Sequence, residues 1–134
     1  MTKARNKDLW GDIPEVLELT PRDLMREQAT YLEQKTKGLL TAEITIESEP
    51  VKKGAPNQTQ TFYLVVPTMR YRYELFSIYQ KDVVKGYPVI FNFDDNIRVE
   101  AHDETEFIDY LKKTLSSERT KRIVGSLLAQ AKSA

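Results

Sequence analysis

Residues 103–132, DETEFIDYLKKTLSSERTKRIVGSLLAQAK, are the most informative part of this chain for its fold class. Apolar residues recur there at helical spacing, in two blocks that meet at Ser116 and Ser117. We therefore expect two consecutive amphipathic helices, each with one apolar face. The expected inner faces consist of Phe107, Ile108, Leu111 and Leu115 in the first of these helices and of Ile123, Val124, Leu127, Leu128 and Ala131 in the second.

The sequence between the first forty residues and these helices has the pattern of β-strands. Residues 71–80 fit a helical as well as an alternating pattern, and their aromatic content favours a strand. Residues 48–59 carry two prolines and a glycine and are predicted to form a long mobile loop or the end of a hairpin. Four other strands are predicted. Residues 40–47 alternate between apolar and polar side chains, and residues 61–66 are apolar on both faces, so 61–66 is expected to be an inner strand covered on both sides. Residues 89–93 and 97–101 flank a turn-forming Asp-Asp-Asn.

A further helix is predicted over residues 21–37. Thr20 is a good N-cap, and Pro21 occupies the first helical position, where its missing N–H costs nothing. Gly38 is expected to end the helix in the left-handed conformation. The predicted fold is therefore α+β, with a four- to five-stranded antiparallel sheet, one N-terminal helix and two C-terminal helices packed on it.

The chain divides at residue 19. Residues 20–134 are predicted to form a single α+β domain, and residues 1–19 a tail followed by an irregular apolar arm. Pro14 argues against a regular helix in the arm. We expect the arm to lie across the domain, bury Trp10 and close an edge of the sheet.

Composition excludes several classes of function. The 134 residues contain 20 Lys and Arg, 20 Asp and Glu, and no cysteine. The balanced charge disfavours binding to nucleic acid, and a chain without cysteine has neither disulfides nor thiolate chemistry. No apolar run approaches the about 20 residues that a membrane span needs, so no membrane association is expected. We expect a cytoplasmic protein with no cofactor.

The chemistry-bearing residues do not form a recognisable catalytic or metal motif. His102 is the only histidine, and its neighbours Asp103 and Glu106 have the spacing of a helix-capping pair. We therefore predict a structural role for these residues, no metal site and no catalytic residue. Catalysis by carboxylates or tyrosines alone stays open, because a sequence does not show which side chains converge.

Five of the seven tyrosines lie in the predicted sheet region, and Arg70 and Arg72 interleave with two of them. Both residue types are enriched at the energetic centres of protein interfaces. The main hypothesis is therefore a non-enzymatic protein-interaction domain, such as an adaptor, inhibitor or chaperone-like factor, that binds a protein partner or itself. The alternative is that these tyrosines pack under the helices. The proposed partner-binding residues are Arg70, Tyr71, Arg72, Tyr73 and Tyr79.

A second hypothesis starts from Gln28, which interrupts the apolar face of the helix predicted at 21–37. A buried amide needs hydrogen-bond partners, which the sheet backbone or a small internal pocket can supply. A pocket between the sheet and this helix, lined by Gln28, Tyr31 and Tyr63, would make the protein a small-molecule-binding domain or a cofactor-free enzyme.

Overall fold

The predicted fold is confirmed by the structure, a computed structural model that describes residues 7–15, 19–49, 56–94 and 97–134. One five-stranded antiparallel sheet has its strands in chain order, and all three helices flank it. A short 3₁₀ turn, Pro67–Met69, joins the second and third strands. The elements are α1 (Pro21–Lys35), β1 (Thr41–Glu49), β2 (Asn57–Val66), β3 (Tyr71–Gln80), β4 (Val89–Asp94), β5 (Ile97–Ala101), α2 (Glu104–Leu115) and α3 (Glu118–Ser133).

The helix α1 begins as its sequence predicts. The Thr20 hydroxyl accepts a hydrogen bond from the Asp23 backbone N–H, and the Asp23 carboxylate accepts one from the Thr20 N–H. The backbone bond from Thr20 lowers the pKa of Asp23 below its ordinary value. The helix ends two residues earlier than predicted, at Lys35, and Lys37 and Gly38 both adopt positive φ angles in the turn that follows.

The sheet has one face covered by helices and one open face. Along β2, alternate residues from Gln58 to Val66 are buried, and the residues between them are half-buried. A bulge opposite Phe62 and Tyr63 makes Leu75 and Phe76 consecutive buried residues on β3. The expectation that 61–66 is covered on both sides is therefore wrong, because only one face of β2 carries a helix layer.

The core beneath the helices is a row of phenylalanines that crosses the sheet. Phe62 on β2 stacks on Phe76 on β3 at 5.0 Å between ring centroids, and Phe76 stacks on Phe91 on β4 at 4.8 Å. Phe107 on α2 packs against Phe91 at 5.8 Å. These four side chains are at most 1% exposed, so they tie three strands to a C-terminal helix.

The expectation that the arm buries Trp10 is wrong. Trp10 is 82% exposed and Leu9 is 87% exposed, so the described part of the arm does not pack on the domain. For the loop predicted at 48–59 the structure supports the hairpin alternative, because β1 and β2 remain paired as far as Glu49 and Asn57. The central part of that loop, residues 50–55, and residues 16–18 of the arm lie outside the described residues.

Candidate functional site

The main opening in the described surface is a groove on the covered face of the sheet. Helix α1 packs on β1, α2 packs on β4 and β5, and α1 and α2 also contact each other. The space between them has a volume of about 580 Å³. Its floor consists of Phe62 and Leu64 from β2 and Leu75 from β3.

The walls of this groove come from three helices. Tyr31 is 52% exposed and Ile108 is 45% exposed, and these two side chains carry the apolar surface outward to solvent. The charged lining residues are Glu27, Lys35 and Lys112. The other lining residues, most of them apolar, are Leu24, Gln28 and Leu32 on α1, Leu111 and Leu115 on α2, Ser116 between the helices, and Thr120 and Val124 on α3.

The groove contains two of the three residues proposed for a pocket. Gln28 and Tyr31 line it, as expected for a space between the sheet and the first helix. Tyr63 lies on the open face instead, because it neighbours the buried Phe62 and Leu64 in β2 and consecutive strand residues point to opposite faces. The sequence pattern predicted that Ile108 lies on an inner helix face. Ile108 is 45% exposed and lines the groove, so the pattern missed it as a residue of the site.

The five proposed partner-binding residues do not form one surface. Tyr73 pairs with the buried Leu64 across the ladder and lies on the helix side, where its hydroxyl accepts a hydrogen bond from Arg119 Nη2 at 3.4 Å. Tyr71 lies on the same side at the strand end and is 45% exposed. Arg72 and Tyr79 lie on the open face, and Arg70 occupies a left-handed turn before β3.

The open face carries one defined cluster of side chains. The Arg72 guanidinium lies 4.2 Å from the centre of the Tyr63 ring and forms a 3.5 Å ion pair with Glu43. The two ion-pair partners are each about half exposed, which limits the energy of the pair to about 1 kcal/mol or less. The guanidinium of Arg72 is therefore engaged by Tyr63 and Glu43 within the protein.

A polar network that the sequence analysis missed lies at the Gln58 end of the covered face. Gln60 donates to the amide oxygens of Gln58 and Gln80 at 2.8 and 2.9 Å, and Arg22 donates to Gln58 at 3.0 Å. Gln80 donates to the Gly86 carbonyl. The three glutamines are at most 8% exposed, and they continue the period-two pattern of the buried face with polar residues. This alternation of Gln58 and Gln60 with the apolar residues of the same strand is the signal from which the network could have been predicted.

This network serves structure more than binding. The Gln60 Oε1 and Arg22 Nε atoms have no hydrogen-bond partner among the described residues, but neither atom is reached by solvent. A ligand in the adjacent cleft of about 370 Å³ would therefore not touch them without a rearrangement. The hydrogen bonds connect α1, β2, β3 and the turn before β4, which holds the N-terminal end of α1 on the sheet.

His102 lies between two carboxylates at the start of α2. Its Nδ1 is 2.9 Å from Glu106 Oε1, and its Nε2 is 3.8 Å from Glu100 Oε1. The hydrogen bond with Glu106 raises the pKa of His102, and the bond from the His102 backbone N–H lowers the pKa of Glu106. Asp103 caps the helix by accepting from the Glu106 N–H. No group of three or more potential metal ligands occurs within the described ranges.

Protein-family models, curated proteins and solved structures were compared with this chain, and none of them matches it. Over the residues that the structure describes, no helix has both the length and the apolar character needed to cross a membrane.

Proposed function

We propose that this protein is a non-enzymatic interaction domain and that its groove receives an apolar segment of a polypeptide. The observation that carries the proposal is the groove of about 580 Å³ between α1 and the C-terminal helices, with the sheet as its floor. Proteins commonly bind the apolar face of a peptide in a groove whose floor and walls are apolar. A cytoplasmic location, expected from the composition, belongs to the same proposal.

The exposed groove wall supports a polypeptide as the bound species. Tyr31 on α1 and Ile108 on α2 are large side chains that remain about half exposed. Contiguous apolar side chains at the rim of a groove are typical of interaction sites, since isolated exposed residues do not extend a buried surface. Lys35 and Lys112 at the groove add charges that can orient an acidic segment.

The strand hypothesis from the sequence has weaker support than the groove. Its five residues are divided between two faces and a turn, and Arg72 is engaged by Tyr63 and Glu43. A single flat partner would contact Arg72 and Tyr79 without Tyr73. The proposed interaction site is therefore the groove, with Tyr31 and Ile108 as its central contacts.

A small apolar molecule is the second candidate for the same groove. The volume lies within the about 300–1,000 Å³ that is common for ligand pockets, and Gln28 is an uncharged polar group on the α1 wall. Such a ligand would place one hydrogen-bonding group near the Gln28 amide. Gln28→Leu would weaken a ligand of this kind and would have little effect on an apolar peptide segment.

The test uses fluorescein-labelled synthetic peptides of two patterns, apolar with acidic residues and apolar with basic residues. Binding to the full chain is followed by fluorescence anisotropy, with the apolar dye anilinonaphthalene sulfonate as the small-molecule probe. We expect the acidic peptides to bind and Ile108→Asp to weaken them at least about tenfold, because a charge would enter an apolar contact.

Ile97→Asp is the matched control, since Ile97 is 39% exposed on β5 and does not line the groove. Circular dichroism spectra must agree for wild type and both variants. Equal weakening by Ile97→Asp and Ile108→Asp would contradict the proposal, as would a peptide set that fails to bind the wild type. Dye binding without peptide binding would favour the small-molecule candidate.

A further inference from the structure

The acidic arm, defined as residues 8–15 (DLWGDIPE), exposes apolar side chains next to a domain with an open apolar groove. Leu9, Trp10 and Ile13 are 87%, 82% and 69% exposed. Three large apolar residues within five positions form a patch rather than scattered surface residues. Such a patch needs a complementary surface, and the groove is one of matching chemistry in the same chain.

We propose that the groove is occupied by the acidic arm of a second copy of this chain, which makes the protein a dimer by reciprocal arm exchange. The inference rests on the proposed function of the groove and names its partner. Trp10 and Ile13 of one copy would fill the apolar space between Tyr31 and Ile108 of the other.

Charge complementarity supports this occupant. The acidic arm contains Asp8, Asp12 and Glu15, and no lysine or arginine occurs between Asp8 and Pro21. The charged residues that line the groove are two lysines, Lys35 and Lys112, and one glutamate. Within the described part of the chain, neither lysine forms an ion pair. Both are therefore free to meet the carboxylates of an incoming arm.

The exposure of the arm favours a second copy over the arm's own groove. Trp10 is 82% exposed, and no residue of the acidic arm lines the groove of its own chain. The groove of one copy is therefore open to the arm of another.

Reciprocal exchange suits a dimer. Exchange by a two-fold axis uses both surfaces of each copy, the eight residues of the acidic arm and the groove between the helices. Two-fold exchange also closes the assembly, because both arms and both grooves are used.

The unique tryptophan provides a direct assay, since Trp10 is the only one in the chain. The full-length protein is studied over a dilution series by sedimentation and by intrinsic fluorescence. We expect a concentration-dependent dimer and, with the same midpoint, a shift of the Trp10 emission to shorter wavelength as the indole leaves water. Ile108→Asp and Ile13→Asp should each weaken the dimer at least about tenfold, and Ile97→Asp should not.

A charge exchange adds a second, independent test. Lys35→Glu with Lys112→Glu should weaken the dimer, and adding Asp8→Lys with Asp12→Lys should restore it. Failure of that restoration would contradict the assignment of the acidic arm to the groove.

The remaining outcomes distinguish an error in the assigned occupant, the acidic arm, from an error in the proposed binding site, the groove. A shifted emission in a monomer, independent of concentration, would place the arm in its own groove and overturn the exchange. Emission typical of an exposed indole at every concentration would remove the arm as an occupant. In either case, peptide binding that is lost in Ile108→Asp would leave the proposed function standing. A dimer that persists in Ile108→Asp would overturn the proposal, because the two copies would then associate through a different interface.

Discussion

Two truncations on the same helix measure whether the groove wall is open in the free protein. Leu111 is 4% exposed, and Ile108, three positions earlier on α2, is 45% exposed. Leu111→Ala removes a buried side chain and leaves a cavity on the core side of the groove. We therefore expect it to lower the free energy of unfolding by about 2–5 kcal/mol.

Ile108→Ala should cost far less. Complete burial of an isoleucine side chain contributes about 1.5–3 kcal/mol, and close to half of this side chain is already in water. The loss from reduced burial is then about 1 kcal/mol. Alanine is a better helix former than isoleucine by a few tenths of a kcal/mol, so the expected net loss is about 0.5–1 kcal/mol.

The assay is urea unfolding followed by circular dichroism, at a protein concentration at which the chain sediments as a monomer. The slope of the free energy against urea should be the same for wild type and both variants, so that the midpoints report stability alone. A loss above about 2 kcal/mol for Ile108→Ala would contradict an open groove wall, because it would mean that Ile108 is covered in the free monomer.

Three further predictions concern other elements. Tyr73→Ala should lower the free energy of unfolding by about 2–3 kcal/mol and Arg72→Ala by at most about 1 kcal/mol, as measured in urea, because only Tyr73 packs beneath the helices; equal losses would contradict the assignment of faces. Ser117→Ala removes the cap of α3 and should cost about 1 kcal/mol by the same measurement, whereas Ser126→Ala on an exposed helix position should not. The hydrogen bond with Glu106 raises the pKa of His102 above its ordinary value of 6.5. Protonated His102 therefore contributes fully to the stability of the fold below pH 6.5, and this contribution is lost as the pH rises through the raised pKa. His102→Gln should flatten that decline in stability, and an NMR titration giving an ordinary pKa would disprove it.

The capping bonds and periodic segments were predictable because they depend on neighbouring residues. Thr20 and Asp23 form their bonds within four residues of chain, and the alternation around Phe62 reflects the geometry of a single strand. The candidate site was predictable only in part. Gln28 and Tyr31 could be assigned to a pocket because they share the inner face of one helix.

The distribution of the tyrosines was not predictable from the spacing of residues in β3. A bulge opposite Phe62 and Tyr63 changes the alternation within the strand, so Leu75 and Phe76 are both buried. Whether a bulge forms depends on the register with β2, which is a contact between distant residues. Tyr73 therefore lies under α3 and Tyr79 on the open face.

The elements, their order and the α+β class follow from the sequence, because helical and strand periodicities are local properties of the chain. Only the folded chain shows a groove between α1 and the C-terminal helices, with Ile108 at its border, and Trp10 in solvent. The spacing between helices depends on how side chains from separate segments fill the same volume, and no short stretch of sequence contains that information.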